Sequence, residues 1–218
     1  MVRGVALPAL AAVLAAPAAA APQPSFYSFD QPGALYLVLN AREGPLKAPA
    51  LRQAIALALD RNALSARTSR DVRVGFRAVS PRYLTPDALA RARALAAPYR
   101  GTILRAEVRR AYGVERFKTL QFQLAQIGLD VVLVQTGGVQ LPENPPPYLD
   151  IAFWRFFPDY PSQPPSAILR WAFGEPVSAI RVASLVDHVF VSGRVGPVTY
   201  NPVYGVDLAA LALDSRSS

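Results

Sequence analysis

Residues 102–135 read as strand, helix and strand with little chain between them, and that unit limits the possible folds more than any other feature. "TILRAEVRR", opened by Gly101, has the length of a strand. In "ERFKTLQFQLAQIG" the side chains of Phe117, Leu120, Leu124 and Ile127 recur on one helical stripe, and Gly128 stands where a helix stops. "LDVVLVQ" follows at once as a second strand. Two strands joined so tightly through a helix are expected to lie parallel in one sheet with a right-handed crossover, which makes the class α/β.

The flanking sequence extends this pattern. "ALYLVLN" (34–40) is a continuous apolar run of strand length, "REGPLKAP" is a loop, and Pro49 suits the first turn of a helix over 49–64. In that helix Leu51, Ala54, Ile55, Ala58 and Leu59 share the buried face, Arg52 and Gln53 the other side, and Asp60 and Arg61 the last turns. A further helix is expected at "TPDALARARALAAPY", with Thr85 as N-cap, Pro86 in the first position and Asp87 set against the dipole. "YLDIAFWRF" reads as a strand, "SAILRWAF" as a short helix and "HVFVSGRV" as a last strand; "LPENPPPY" is a proline-stiffened, extended connection.

Composition adds exclusions. A chain of 218 residues with 52% hydrophobic and 17% charged residues is long and apolar enough for a sizeable core. The net charge of +8 and pI of 10.2 would ordinarily suggest nucleic acid or an anionic membrane. Here, however, the basic residues are nearly all Arg, with only Lys47 and Lys118 besides, and they are scattered singly, so no nucleic-acid partner is expected. With no cysteine there is no disulfide framework and no thiolate metal site. Arg3, the apolar stretch from Val5 to Ala16 and the small residues of "APAAAAPQP" read as an export signal over residues 1–21, followed by a linker over 22–33.

Catalytic chemistry has little to stand on. His188 is the one histidine and sits in an apolar, strand-like context, so no metal cluster is expected around it and no cofactor is implied. Ser184, Asp187 and His188 make a hydrolase on paper only, because adjacent strand residues point to opposite faces and no nucleophile-elbow sequence is present. "QTGG" at 135–138 lacks the lysine and the spacing of a phosphate loop. The chain is therefore not expected to be an enzyme.

Aromatic and acidic residues instead gather in one place: Asp150, Phe153, Trp154, Phe156, Phe157, Asp159 and Tyr160, followed by Pro161, Pro164 and Pro165. Ligands of α/β sheets bind outside the carboxyl ends of the strands, where this segment leaves its strand. Rings beside a carboxylate suit an organic ligand with a positive group. Phe153 is expected to fill core, while Asp159, in a loop fixed by Pro158 and Pro161, fits a structural role and a cation-binding one equally.

Taken together, "YLVLNA", "ALRQAIALALDRNAL", "FKTLQFQLAQIGLDVVLV", "LDIAFWRFFPDYPSQPPSAIL" and "VFVSGRVG…YNPVYGVDLAALAL" resemble, in order and wording, extracytoplasmic solute-binding proteins of family 5, the oligopeptide-, dipeptide- and nickel-type components of ABC importers. The resemblance covers roughly residues 34–214. It implies a class II periplasmic-binding-protein fold, here mainly the C-terminal lobe with a fragment of the first lobe, so that 34–218 is a partial solute-binding protein. It further implies a periplasmic or other extracytoplasmic location, a peptide or small organic solute as ligand, and an ABC permease at the membrane as partner. In peptide-binding members an Asp after the Trp-bearing strand pairs with the ligand's α-amino group. Asp159 occupies that position, with Trp154, Phe157 and Tyr160 as its neighbours in the binding site. Against the family pattern most of a first lobe before "YLVLN" and a helical segment after "WAFGEP" are lacking, which leaves a stand-alone protein-interaction domain or a non-functional gene remnant as alternatives.

Overall fold

The computed structural model describes residues 23–66, 74–109, 112–135, 149–157, 178–192, 195, 198–201 and 205–207. In chain order its elements are β1 (Ser25–Leu39), α1 (Pro49–Ala58), α2 (Arg61–Ser65), β2 (Val74–Ala78), α3 (Pro86–Ala96), β3 (Ile103–Val108), α4 (Val114–Ala125), β4 (Asp130–Gln135), β5 (Ile151–Phe156) and β6 (Ser178–Val191). A short antiparallel pair, β7 (Tyr200–Asn201) and β8 (Gly205–Val206), follows. The segments expected as signal peptide, as the proline-stiffened connection and as the helix "SAILRWAF" lie outside the described residues.

The first six strands form one mixed sheet in the order β2-β6-β1-β5-β3-β4. As the tight joins require, β3 and β4 are parallel, in register from Ile103↔Asp130 to Val108↔Gln135. Gly128 takes φ +81 at the end of the α4 segment, a conformation that a side chain would oppose. β5 joins β3 in parallel through Ala106↔Ile151 and Glu107↔Ala152. β1 is antiparallel to both of its neighbours, β5 and β6.

The core lies on the helix-bearing face of this sheet. Leu35, Leu37 and Leu39 of β1, Leu104 and Ala106 of β3 and Ile151 and Phe153 of β5 point there and meet Leu51, Ile55, Phe117, Leu120 and Leu124 from α1 and α4. Phe117 stands edge-on to Phe153, with ring centroids 5.2 Å apart. Each such fully buried side chain is worth about 1.5–3 kcal/mol. Thr85 caps α3 as expected, its Oγ1 accepting from Ala88 N at 3.2 Å.

Three boundaries differ from the sequence reading. The helix expected over 49–64 is broken: Leu59 and Asp60 are extended, and Asp60 is the N-cap of α2, accepting from Ala63 N at 2.9 Å. The break is held from a distance, because the Gln123 amide pairs with both backbone groups of Asp60, accepting from its N at 3.1 Å and donating to its O at 3.2 Å. β1 begins at Ser25, inside the segment expected as linker, and carries Pro32 and Gly33 through a register shift between Asp30 and Ala34. Proline is tolerated at such an irregularity. Gly33 is required there by close approach, since a Cβ would lie 2.6 Å from Phe156 O and from Leu185 Cδ1. Lastly, β6 starts at Ser178 rather than at His188, so "SAIRVASLVD" is sheet interior.

Candidate solute-binding wall

β3 and β5 run in the same direction, so their carboxyl ends lie side by side. On the sheet face opposite the helices the strands set their side chains in cross-strand rows. Trp154, Tyr36 and Arg181 make one row, Phe156, Ala34 and Ser184 the next, and Ala152, Val38 and Ala179 a third, which Glu107 of β3 joins through Ala152. Ala34, Tyr36, Val38 and Phe156 are buried together here, with Trp154 and Ala179 packed against them. The Trp154 and Phe156 rings sit 6.0 Å apart. Large rings alternate with small residues in these rows, an aromatic ridge in which Tyr36 and Phe156 are buried and Trp154 is half-buried.

Two polar arrangements border the ridge, and a third lies behind it on the helix-bearing face. Burial raises the Tyr36 phenol above its ordinary pKa, and the positive charge of Arg181 offsets part of that rise. Behind the ridge, on the helix-bearing face where Tyr112 packs near Phe153, the Tyr112 hydroxyl accepts from Arg155 N at 3.0 Å while the Arg155 guanidinium lies 5.3 Å from the centre of the Tyr112 ring. Just beyond β3, Arg109 Nε stands 3.0 Å from Glu107 Oε2, and the Glu107 side chain is 3% exposed. That contact is an ion pair by distance but lies off the N–H direction, so Arg109 Nε and Nη2 are buried without an aligned acceptor.

The site residues expected from sequence fall in two groups. Trp154 is half-buried on the ridge, and Phe157, 50% exposed, is the first residue past β5. Asp159 and Tyr160 lie outside the described residues. Phe153 is in the core, as expected. Asp150 is structural: its Oδ2 accepts from Arg105 N at 2.8 Å, and its backbone bonds both Asn40 N and Arg105 O. Asp187 and His188 point to opposite faces of β6, Asp187 toward the Tyr200 hydroxyl at 3.4 Å and His188 toward Ser28 Oγ at 3.2 Å and the Phe26 ring. Among the described residues no group of His, Cys, Asp and Glu is placed to hold a metal. The sequence reading missed Glu107 and Arg109 on the wall. Their only signal was alternation in "RAEVR", which any strand with a polar outer face shows.

No family model and no curated protein matches the chain. Solved structures do. NikA from Brucella suis in complex with Fe(III)-EDTA superimposes with a TM-score of 0.68 at 14% identity, over 87% of this chain and 53% of that one. The ABC transporter substrate-binding protein CtaP from Listeria monocytogenes gives 0.61 at 18%, over 88% and 52%. The substrate-binding domain of an oligopeptide ABC transporter from Bacillus anthracis gives 0.61 at 12%, over 86% and 51%. The chain thus has the fold of the ABC-importer solute-binding proteins, the periplasmic-binding-protein-like α/β arrangement expected from its sequence, and it spans about half the length of each of these structures.

Proposed function

We propose that this chain supplies one wall of an extracytoplasmic solute-binding site belonging to an ABC importer, that the solute is a peptide or similar organic molecule, and that it is handed to a membrane permease. Binding rather than catalysis is the activity in this reading. The observation that carries it is the end of β5, whose half-buried Trp154 stands on the aromatic ridge and whose last residue is followed by exposed Phe157, with Asp159 and Tyr160 next in sequence. In an open α/β sheet that is where a ligand is held. Trp154 and Phe157 offer apolar ring surface, and Asp159 is the counter-charge for an amino group.

Calorimetric titration of the chain with a panel of di- to tetrapeptides tests the reading. Asp159→Asn is expected to weaken binding by about 1.5–3 kcal/mol, the scale of one charge-assisted hydrogen bond. Unchanged affinity in that variant removes the role from Asp159. A second reading, a stand-alone interaction module, draws on Phe26 and Phe190, which are 50% and 63% exposed with rings 4.8 Å apart on the far part of the β1–β6 ribbon. Self-association in sedimentation velocity that disappears in Phe190→Ser, with no peptide binding, would favour it.

A further inference from the structure

We propose that the open edge of β2 takes up an extended, acidic peptide segment of another protein as an added strand; the proposal is independent of the solute-binding wall and of Asp159. β2 is the last strand of the sheet on its side, and among the described residues no strand pairs with its outer edge. Val79 N donates to Val182 O at 3.3 Å, in line with the β2–β6 register. In an antiparallel ladder alternate residues turn their backbone groups to the neighbour, so Arg77 also faces β6, while Phe76 and Ala78 turn N–H and C=O outward. An edge of alternating donors and acceptors is complementary to another extended backbone.

A groove is already formed along that edge. A cavity of about 270 Å³ lies between α2 and β2, with Ala66, Phe76 and Ala78 as its apolar lining and Asn62 and Ser65 as its polar one. It gives room to the side chains that an added strand would turn toward the helices. Asn62 N donates to Arg82 O at 2.7 Å, and Arg61 Nη1 donates to Ser80 O, so the loop carrying Arg82 is tied against α2. Arg77 and Arg82 complete the lining, and no acid is among its described residues. Asp30 engages Arg77 at 2.6 Å, whereas Arg82 is exposed and pairs with no acid among the described residues. Charge therefore selects the occupant. A second copy of this chain would set this arginine pair against an identical one, in a molecule of net charge +8, while an acidic strand meets a counter-charge.

The experiment titrates the full chain with two hexapeptides, both acetylated and amidated, one alternating glutamate with valine and the other lysine with valine. Binding is followed by fluorescence anisotropy and by amide hydrogen exchange. The glutamate peptide should bind at least about tenfold more tightly than the lysine peptide, and Arg82→Glu should remove much of that preference. The Phe76 and Ala78 amides should exchange freely in the chain alone and slow on binding. Methylating the amides of one alternate set of peptide residues should abolish binding, and methylating the other set should not, because an added strand turns only one set to its neighbour. Ala78→Pro removes an N–H that the β2–β6 ladder does not use and should weaken binding by about three- to tenfold. Equal binding of the two peptides, or equal effects of the two methylation patterns, overturns the proposal without any variant having to fold. So does protection of Phe76 and Ala78 in the free chain: constant with concentration, it means that the chain covers its own edge, and rising with concentration, it means that a second copy does.

Discussion

Asp150 sits where three strands meet, and its carboxyl is pulled in two directions. Burial raises its pKa, while the hydrogen bond from Arg105 N and the charge of Arg105 lower it; burial is the larger influence, so the net displacement is upward. A carboxyl whose pKa is higher folded than unfolded binds its proton more tightly in the native state. Its stabilising contribution is present in full below the unfolded pKa and is lost as pH rises through the raised folded value. Urea midpoints should therefore fall for wild type as pH rises through the weakly acidic range. Asp150→Asn, a neutral isostere that keeps an acceptor for Arg105 N, should not show that fall, and the two curves should converge toward low pH. A wild type that gains on the variant with rising pH would mean that Arg105 outweighs burial. At this scale the sequence was legible where chemistry is carried by residue type. Rings in "IAFWRFF" announced an apolar surface, and Phe153 went to the core. Arg105, Glu107 and Arg109 were not legible, because alternation gives the same pattern whether the outer face meets water or a ligand.

Among the elements, the break between α1 and α2 shows what periodicity does not record. Nothing between Leu57 and Arg61 is a glycine or proline, and the apolar spacing continues through Leu64. The kink is made by Gln123, which offers the Asp60 backbone the two hydrogen bonds that a continuous helix would have supplied. Two of the stretches that carry the resemblance, the one containing Asp60-Arg61 and the Leu-Gln-x-Gln-Leu segment of α4, are thereby parts of one joint. Arg116, itself 2% exposed, closes the same region by donating to Leu64 O at 2.7 Å and lying 4.5 Å from the Phe76 ring centre. Asp60→Ala should cost about 1 kcal/mol through the lost cap. Gln123→Ala should cost about 1–3 kcal/mol, since it strands a buried N–H and a C=O. The double variant should cost less than the sum, because both changes act on one turn. Strict additivity in chemical denaturation would show that the cap and the amide work independently. By contrast the β3-α4-β4 unit was read correctly because local chain supplies everything that defines it: a stripe, a glycine stop and short joins.

For the whole molecule the decisive fact is that the sheet is closed by strands far apart in sequence. β6 pairs with β1 from Ser25↔Val191 to Leu39↔Ser178, and on its other edge it is the sheet partner of β2. No local pattern foretells such a pairing, which is why the sequence yielded the parallel unit and not the antiparallel half that flanks it. The arrangement also predicts how cooperative the chain must be. A chain ending at residue 177 would keep β3, β4, β5 and the helices but would lose Ile180, Val182 and Ala183 from the core, and Leu185 beside it. The three larger side chains stabilise by about 1.5–3 kcal/mol each, which together rivals the 5–15 kcal/mol that holds a typical domain folded. The first half of β1 would also be left with its hydrogen-bonding groups unpaired, as would β2. Such a chain should keep helical far-UV circular dichroism from its local units while losing the near-UV signal and the sharp thermal transition of the full chain. A sharp melt at an unchanged midpoint would place the folding unit within residues 34–177, and would make β6 an addition to a sheet already complete without it.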